Sequence, residues 1–261
     1  MACKATDDPH RRRRPEDTDD DSRHEIAKVY FDYGFFRNRI GEKLVPFLVA
    51  TCKRTAMKRA FVTQDRIGGM PLTVRLVDQC LRELGHHGPV VLRSDGEQVL
   101  QELLTKVATG RQAQTLVERG AREDGACNGR AERAVRTTEE QTKLIKLDFE
   151  KRSGVGVSAH SSLFTWMVRH GVDLFNKRQP GFDGRTPFER LRGRPYQGEL
   201  LPFGAPVLHR LSGLPVGGVL VDRWNPGSWL GKTSDSDEQP YRAFERKRDS
   251  SAVGARGGWP D

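Results

Sequence analysis

Three acidic residues have the chemistry and the order of a divalent-metal site. Asp32 lies in a segment rich in Val, Phe and Tyr, Asp95 follows an apolar run, and Glu132 lies near the start of a long polar stretch. Carboxylate oxygens are hard ligands that suit Mg²⁺ and Mn²⁺. Two such ions, about 3.5–4 Å apart, can activate the attacking oxygen and stabilise the leaving oxygen of a phosphodiester displacement. This chemistry requires a fold that brings the three acids together.

Each acid taken alone also has a structural interpretation. An Asp-Gly pair, as at Asp95, is typical of a turn. A glutamate in the first turn of a helix, as expected for Glu132, complements the helix dipole. Asp32 is the more unusual residue, because a carboxylate buried in a strand costs several kcal/mol unless something pairs with it. Only the joint arrangement of the three favours a metal site.

The first half of the chain predicts the elements that would hold these acids. Segments 26–36, 43–51 and 57–64 are rich in β-branched and aromatic residues and predict a three-stranded meander. Pro46 inside the second segment favours an edge position or a bulge. Helices and strands then alternate, which is typical of an α/β domain. The predicted helices cover 71–84, 97–109, 129–151 and 161–176, and the predicted strands cover 89–94 and 114–118.

The last third of the chain has a different composition. Glycine and proline are frequent from 180 to 231, and short apolar pieces between them predict a few β-strands. We expect Trp224 and Trp229 to fill the core of this small module, with stacking on nucleic-acid bases as the alternative. The predicted division is a disordered charged tail, a core domain, a linker with the β-rich module, and a disordered tail, at 1–24, 25–178, 179–233 and 234–261.

The charge balance indicates the class of partner. The chain of 261 residues has 44 Lys and Arg against 35 Asp and Glu, a net charge of +9, which favours a polyanion such as nucleic acid. Its four cysteines form no CxxC pair, so they support neither a disulfide framework nor a complete zinc site. We find no secretory or transmembrane segment and expect a nuclear or cytoplasmic protein that binds no membrane.

Several segments together resemble the integrases of retroviruses and long-terminal-repeat retrotransposons, with the copia-type elements closest. The segments are VYFDYGFF with Asp32, LRSDGE with Asp95, NGRAERAVRT with Glu132, GRTPFERLRGRPY at 184–196, and RWNPGSWLGKTSDSDE at 223–238. The order of two aspartates and a glutamate, separated by 62 and 36 residues, is similar to that of the family. The resemblance covers most of residues 26 to 238.

The resemblance implies a fold and a site. The fold is a ribonuclease H-like mixed five-stranded sheet flanked by helices and followed by a small β-rich module. Asp32, Asp95 and Glu132 are implied to be the catalytic residues and the ligands of two Mg²⁺ or Mn²⁺ ions. Asn128 and Gly129 are implied to shape a mobile loop before the catalytic helix, and an N-cap is the structural alternative for Asn128.

Basic residues on the same helix suggest contacts with DNA. Arg136 and Lys143 follow Glu132 by four and eleven residues, so both lie on the face that Glu132 occupies. Arg136 matches a basic position of the family, whereas the position one turn later holds the acid Glu139. A solvated helix face is the structural alternative for these cations.

The expected function is that of an integrase-type DNA strand transferase, a metal-dependent enzyme acting on element ends and target DNA. The resemblance implies that it acts as a homo-oligomer. Residues 1–24 resemble the remnant of a zinc module, with Cys3 in the place of its last ligand, but the histidine pair and the other cysteine are absent, so we expect no zinc there. Two alternatives stay open. One is a catalytically inactive, truncated retroelement-derived protein that binds nucleic acid, and the other is a nuclease or cut-and-paste transposase on the same fold.

Overall fold

The computed structural model describes six stretches of the chain. They are residues 26–37, 43–63, 70–120, 125–210, 224–232 and 243–245. The predicted tail at 1–24 and most of the one at 234–261 lie outside these stretches. Within them, no helix combines the length and the apolar character needed to cross a membrane.

A mixed five-stranded sheet forms the centre of the core domain. Its strands are β1 (Ala27–Phe36), β2 (Val45–Cys52), β3 (Lys58–Val62), β4 (Val90–Ser94) and β5 (Thr115–Arg119). They lie in the order β3-β2-β1-β4-β5. The first three form an antiparallel meander, and β4 and β5 run parallel to β1 and to β4 respectively. This strand order confirms the predicted ribonuclease H-like sheet.

Helices cover both faces of this sheet. They are α1 (Met70–Glu83), α2 (Gln98–Gly110), α3 (Gly125–Ser153), α4 (Ser162–Arg178) and the short α5 (Pro187–Arg192). Because side chains alternate along a strand, neighbouring residues serve different cores. Phe31 and Leu48 pack with α1 and α2, whereas Phe47 and Val49 pack with α3 and α4. One apolar core thus joins β1 and β4 with α1 and α2, and the other lies between the opposite face of the sheet and the helices α3 and α4.

The prediction from Pro46 is wrong, because β2 is an internal strand. It pairs in continuous register with β1 on one side and with β3 on the other, without a bulge near Pro46. Pro46 is the second residue of the strand and its carbonyl oxygen accepts from Thr63 N at 2.9 Å, just past the end of β3. The missing N–H therefore faces Thr63, just past the end of the shorter strand, so Pro46 removes only a terminal hydrogen bond of that pair of strands.

A glycine in β1 allows α3 to lie close against the sheet. A Cβ at Gly34 would lie 2.2 Å from the Phe47 ring and 2.8 Å from Cγ1 of Val135. Real contacts do not reach such distances, so no larger residue fits without a shift of the neighbours. Ala131 and Ala134, the buried residues of the facing helix turn, are correspondingly small. This close approach sets how near Glu132 comes to β1.

A second sheet follows the core domain. It contains β6 (Pro206–Arg210), β7 (Trp224–Trp229) and β8 (Ala243–Glu245), all antiparallel. The expectation that both tryptophans fill a core holds for Trp229, which is 2% exposed, but not for Trp224, which is 53% exposed. The sequence pattern did not indicate β8, which is short and flanked by charged residues.

The second sheet is attached to the core through a few close contacts. Gly204 N donates to Trp229 O at 2.7 Å, and Trp229 N donates to Ala205 O at 2.8 Å. The ring of Phe203 packs edge-on against that of Phe149 on α3 at 5.7 Å. Phe203 also belongs to the apolar core between the sheet and α4. The β-rich module therefore begins in contact with α3 and α4.

Candidate active site

The three acids line one small pocket at the end of the parallel strands. The pocket has a volume of about 60 Å³ and is lined by Tyr30, Asp32, Arg93, Ser94, Asp95, Ala131 and Glu132. Tyr30 pairs with Arg93 in the parallel register, so the two aspartates each lie two residues further along adjacent strands. The structure thus brings together Asp32 and Glu132, which are 100 residues apart in the sequence.

Strand alternation explains the direction of Asp32. Its neighbours Phe31 and Tyr33 are buried in the core under α1 and α2. Asp32 therefore faces the opposite side of the sheet, which α3 covers. This residue is only half-buried, so its carboxylate keeps access to water and to the pocket.

A turn after β4 holds Asp95. Its Oδ1 accepts a hydrogen bond from Glu97 N at 3.0 Å. Gly96 between them has φ +91°, in the left-handed region that glycine adopts without strain. The buried Ser94 Oγ accepts from Gln101 Nε2 on α2. The Asp-Gly pair therefore forms a turn, as the sequence predicted. The hydrogen bond of this turn uses Asp95 Oδ1 and does not involve Oδ2.

Arg93 is a residue of the pocket that the sequence interpretation missed. Its side chain is 18% exposed and Nη1 lies 3.7 Å from a carboxylate oxygen of Glu118 on β5. Arg93 follows the buried residues Val90, Val91 and Leu92. A charged residue in such a strand is costly unless it is compensated, and this was the available signal. The guanidinium brings positive charge beside the carboxylates.

The three carboxylates of the pocket are ligands that suit a hard divalent cation. Their present spacing, however, is too wide for all three to bind the same ion. Three carboxylates at a common cavity are the ligand type that Mg²⁺ and Mn²⁺ take. Among the residues that the structure describes, however, no group of three or more His, Cys, Asp or Glu side chains is close enough to hold a metal ion. The acids would have to draw closer around an ion to share it. Glu132 is exposed and is the most free to do so.

The predicted DNA-contacting residues lie along α3, outside the pocket. Arg136 and Lys143 are both exposed, and the second is eleven residues from Glu132, roughly 16 Å along the helix axis. Burial raises the pKa of Glu139, and the nearby Arg136 guanidinium partly offsets this effect. The acid at the second family position therefore keeps its proton more readily than an exposed glutamate.

The start of α3 corrects the expectation of a loop before Glu132. The helix begins at Gly125, so Asn128 and Gly129 lie inside it, and Asn128 is not its N-cap. Asn and Gly are weak helix formers, but Ala126, Arg130 and Ala131 around them are strong ones. The packing of the later turns stabilises the whole helix. The side chain of Asn128 lies outside the described part of the structure.

The comparisons with known proteins give structural similarity only. No protein-family model matches the chain, and no curated protein sequence matches it. The magnesium-bound integrase catalytic core domain of HTLV-2 is similar in its trimeric form, with a TM-score of 0.47, 11% identity, and coverage of 63% of this chain and 95% of that one. Its dimeric form has a TM-score of 0.45 with the same identity and coverage.

A larger assembly is similar at the same level. The simian T-cell lymphotropic virus intasome, in complex with the PP2A regulatory subunit B56 gamma, has a TM-score of 0.44 and 12% identity, covering 84% of this chain and 77% of that chain. With TM-scores below 0.5, these similarities carry no argument about the site. The fold assignment rests on the strand order, and the site rests on the pocket geometry.

A second and larger cavity lies at the edge of the sheet. This edge cavity has a volume of about 280 Å³ between β3, α1 and α4. Its lining includes Arg59, Glu83, Trp166, Arg169 and Asp173. Arg59 Nε donates to Glu83 Oε2 at 2.9 Å, so the opposite charges of these two largely buried side chains neutralise each other. The acids of the carboxylate pocket do not line it.

Proposed function

We propose that this chain is an integrase-type DNA strand transferase, in which Asp32, Asp95 and Glu132 form a divalent-metal site for phosphodiester cleavage and joining. The single observation that carries the proposal is the pocket that all three carboxylates line. A water molecule or a DNA 3′-hydroxyl would be the attacking group. The motif resemblance to retroelement integrases supports the same reaction, with the DNA ends and a target duplex as substrates.

The residues of the pocket would divide the work between them. The rigid parallel strands would fix Asp32 and Asp95, and Glu132 would complete the ligand set from α3. Mg²⁺ or Mn²⁺ bound there would supply the positive charge that activates an attacking oxygen and stabilises a leaving one. Asn128, Arg136 and Lys143 would contact the DNA backbone along α3, and such contacts position a duplex without reading its sequence.

The oligomeric state belongs to the same proposal. The HTLV-2 integrase core was solved in trimeric and dimeric forms, and the related viral protein was solved as an intasome. We propose that this chain also acts as a homo-oligomer, because joining two element ends to one target requires more than one pocket.

A second candidate function is nucleic-acid binding without catalysis, and Arg93 favours it. The guanidinium lines the same pocket as the three acids. A cation of the protein in this position can balance part of their charge without any metal ion. On this hypothesis the pocket would be a structural cluster, and the protein would bind nucleic acid through its net positive charge.

Cleavage and joining of short DNA duplexes would separate the two functions. We expect nicking and joining that require Mg²⁺ or Mn²⁺ and that fall about a thousandfold in Asp95→Asn and Glu132→Gln, because the ions contribute several kcal/mol to the transition state. Glu140→Gln is the matched control, since Glu140 is exposed on the same helix and does not line the pocket. Its activity should equal that of the wild type.

The possible results have distinct meanings. Equal activity in the wild type and both pocket variants would overturn the metal-site proposal. Absence of any cleavage in a wild type that binds DNA would favour the second candidate. Metal-dependent nicking without joining would indicate a nuclease on this fold instead.

A further inference from the structure

A cluster of cations lies near the carboxylate pocket, and its members on α3 precede Arg136 and Lys143 along the helix. We call it the basic surface, and it consists of Lys53, Arg54, Lys58, Arg130, Arg133 and Arg190. These residues come from the turn between β2 and β3, the first residue of β3, the first turns of α3, and α5. The site proposal uses none of them.

Direct contacts join the three elements of the basic surface. Arg130 Nη1 donates to the carbonyl oxygen of Lys53 at 3.5 Å. Arg190 Nη1 donates to the carbonyl oxygen of Thr55 in the same turn, also at 3.5 Å. The turn is therefore held between α3 and α5, which keeps the backbone positions of its cations close to those on the two helices.

Arg130 also connects the basic surface to the pocket. Its guanidinium lies over the ring of Tyr30, 5.8 Å from the centroid, and Tyr30 lines the pocket with the acids. Arg130 and Arg133 flank Glu132 in the sequence, and both are exposed. A phosphate chain that leaves the pocket on this side would meet them first.

The environment of Lys58 reports the local potential. This residue is 9% exposed, and its ammonium lies 3.9 Å from the ring centroid of Phe175. Burial, together with the positive charges of Arg130, Arg133 and Arg190, lowers the pKa of Lys58 from 10.5 to about 8. Several positive charges of the protein therefore lie close together around Lys58.

Little negative charge balances this accumulation. Arg190 pairs with Asp183. Within the described ranges of the chain, no carboxylate forms an ion pair with Arg54, Arg130 or Arg133. Holding uncompensated cations together destabilises the folded state, so a bound polyanion would relieve a cost that is already present.

We propose that the basic surface binds the phosphate backbone of duplex DNA next to the carboxylate pocket. The surface adds further contacts to those expected at Arg136 and Lys143 for the substrate of the proposed function, and in this respect it rests on that function. Together these contacts would hold a duplex next to the pocket. Contacts of this kind fix the register of the backbone and carry no sequence information.

The test measures DNA binding in the absence of divalent metal, so that it is independent of catalysis. The affinity of the full chain for a fluorescent duplex is measured from low to physiological salt, in EDTA. In Arg54→Gln/Arg130→Gln/Arg133→Gln we expect the slope of log affinity against log salt to fall by about 2–3 in magnitude, since each lost phosphate contact removes about 0.9. At physiological salt the affinity should fall roughly tenfold or more.

A matched control removes the same net charge elsewhere. Arg75, Lys151 and Arg178 are exposed cations on α1, α3 and α4 and lie outside the basic surface. The Arg75→Gln/Lys151→Gln/Arg178→Gln triple should keep nearly the wild-type slope. A charge-preserving triple, Arg54→Lys/Arg130→Lys/Arg133→Lys, should also keep it.

Either of two results would overturn the proposal. One is a wild-type slope in the glutamine triple of the basic surface, and the other is an equal fall in both glutamine triples, which would indicate diffuse charge. If the first triple does not fold, photo-crosslinking of the wild type to iodouracil-substituted duplex decides the question, because peptides 53–59 and 130–133 must carry the DNA. Crosslinks only to other peptides would equally overturn it.

These results are distinguishable from failure of the proposed function. Inactivity of the wild type in cleavage and joining, combined with a smaller slope in the surface triple, would reject the strand transferase and retain the surface. Metal-dependent cleavage combined with an unchanged slope would retain the enzyme and reject the surface.

Discussion

The carboxylate pocket and the edge cavity differ in size and in how their charges are arranged. The edge cavity is larger, about 280 Å³ against about 60 Å³. Its acids each have a basic partner, because Glu83 pairs with Arg59 at 2.9 Å and Asp173 pairs with Lys177 at 2.7 Å. The pocket instead collects three acids of like charge around one small space.

This difference indicates which region carries chemistry. Like charges that converge are unfavourable for folding, and Arg93, as the one cation among the described residues that line the pocket, balances only part of three acidic charges, so a bound cation would favour this arrangement. Paired charges along an apolar wall stabilise the fold without any ligand. Volume alone would have selected the edge cavity, whereas the arrangement of charge selects the pocket. Three predictions test whether the two regions differ in this way.

The largest expected effect concerns the helix that walls the edge cavity. His170 of α4 is 3% exposed, and its ring packs 5.6 Å from that of Phe203. In the part of the chain that the structure describes, neither ring nitrogen has a hydrogen-bond partner. Burial lowers the pKa of His170 from 6.5 to about 4, although Asp173 acts to raise it. The region is therefore dry enough to keep the imidazole neutral.

The sign of the pH dependence follows from this pKa. Below pH 6.5 the His170 imidazole becomes protonated in the unfolded chain, whereas in the folded chain it becomes protonated only near pH 4. The free energy of unfolding therefore falls as the pH is lowered between these two values. In urea unfolding at pH 7 and 4.5, His170→Leu should lose about 2–3 kcal/mol less than the wild type. His86, whose pKa burial also lowers to about 4, stays as a common background in both proteins. Identical losses would show that the α4 side is open to water.

The next effect concerns the ion pair in the edge cavity. Glu83 accepts from Arg59 Nε at 2.9 Å and from Gln79 Nε2 at 2.8 Å, and its side chain is 8% exposed. Glu83→Gln would leave the guanidinium poorly compensated and should lower the free energy of unfolding by about 1–3 kcal/mol. DNA cleavage by the folded fraction should not change.

An exposed pair gives the control for this change. Glu102 lies 2.8 Å from Lys106 and both side chains are more than half exposed, at 56% and 53%. Glu102→Gln should cost less than about 0.5–1 kcal/mol, because water screens such pairs. Equal costs for the two substitutions, or loss of cleavage in Glu83→Gln, would remove the distinction between the two regions.

The sequence predicted the elements of the core well, for a physical reason. The apolar residues of β1 and β2 serve both faces of the sheet, and α1 has apolar positions at helical spacing, so local patterns carried the information. Three acids in the right order also pointed to the pocket. The fold-level prediction then followed from the order of helices and strands.

The remaining features depend on contacts between distant parts of the chain. Pro46 suggested an edge strand, because the sequence does not show that β3 ends where the missing N–H points. Arg93 looked like an ordinary strand residue until the register placed it beside the acids. The basic surface joins Lys53 to Arg130, which are 77 residues apart, so no local pattern could reveal it.

The smallest expected effect tests whether the pocket is a structural cluster. Glu132 is exposed and is the eighth residue of α3, beyond the first turn, where the helix dipole has little effect. Its side chain therefore loses little on replacement by an uncharged residue of the same shape. Glu132→Gln should therefore change the free energy of unfolding by less than about 0.5 kcal/mol in either direction. A loss above about 1.5 kcal/mol in urea unfolding would mean that Glu132 stabilises the fold, and a fall in cleavage by that variant could then no longer be assigned to a lost metal ligand.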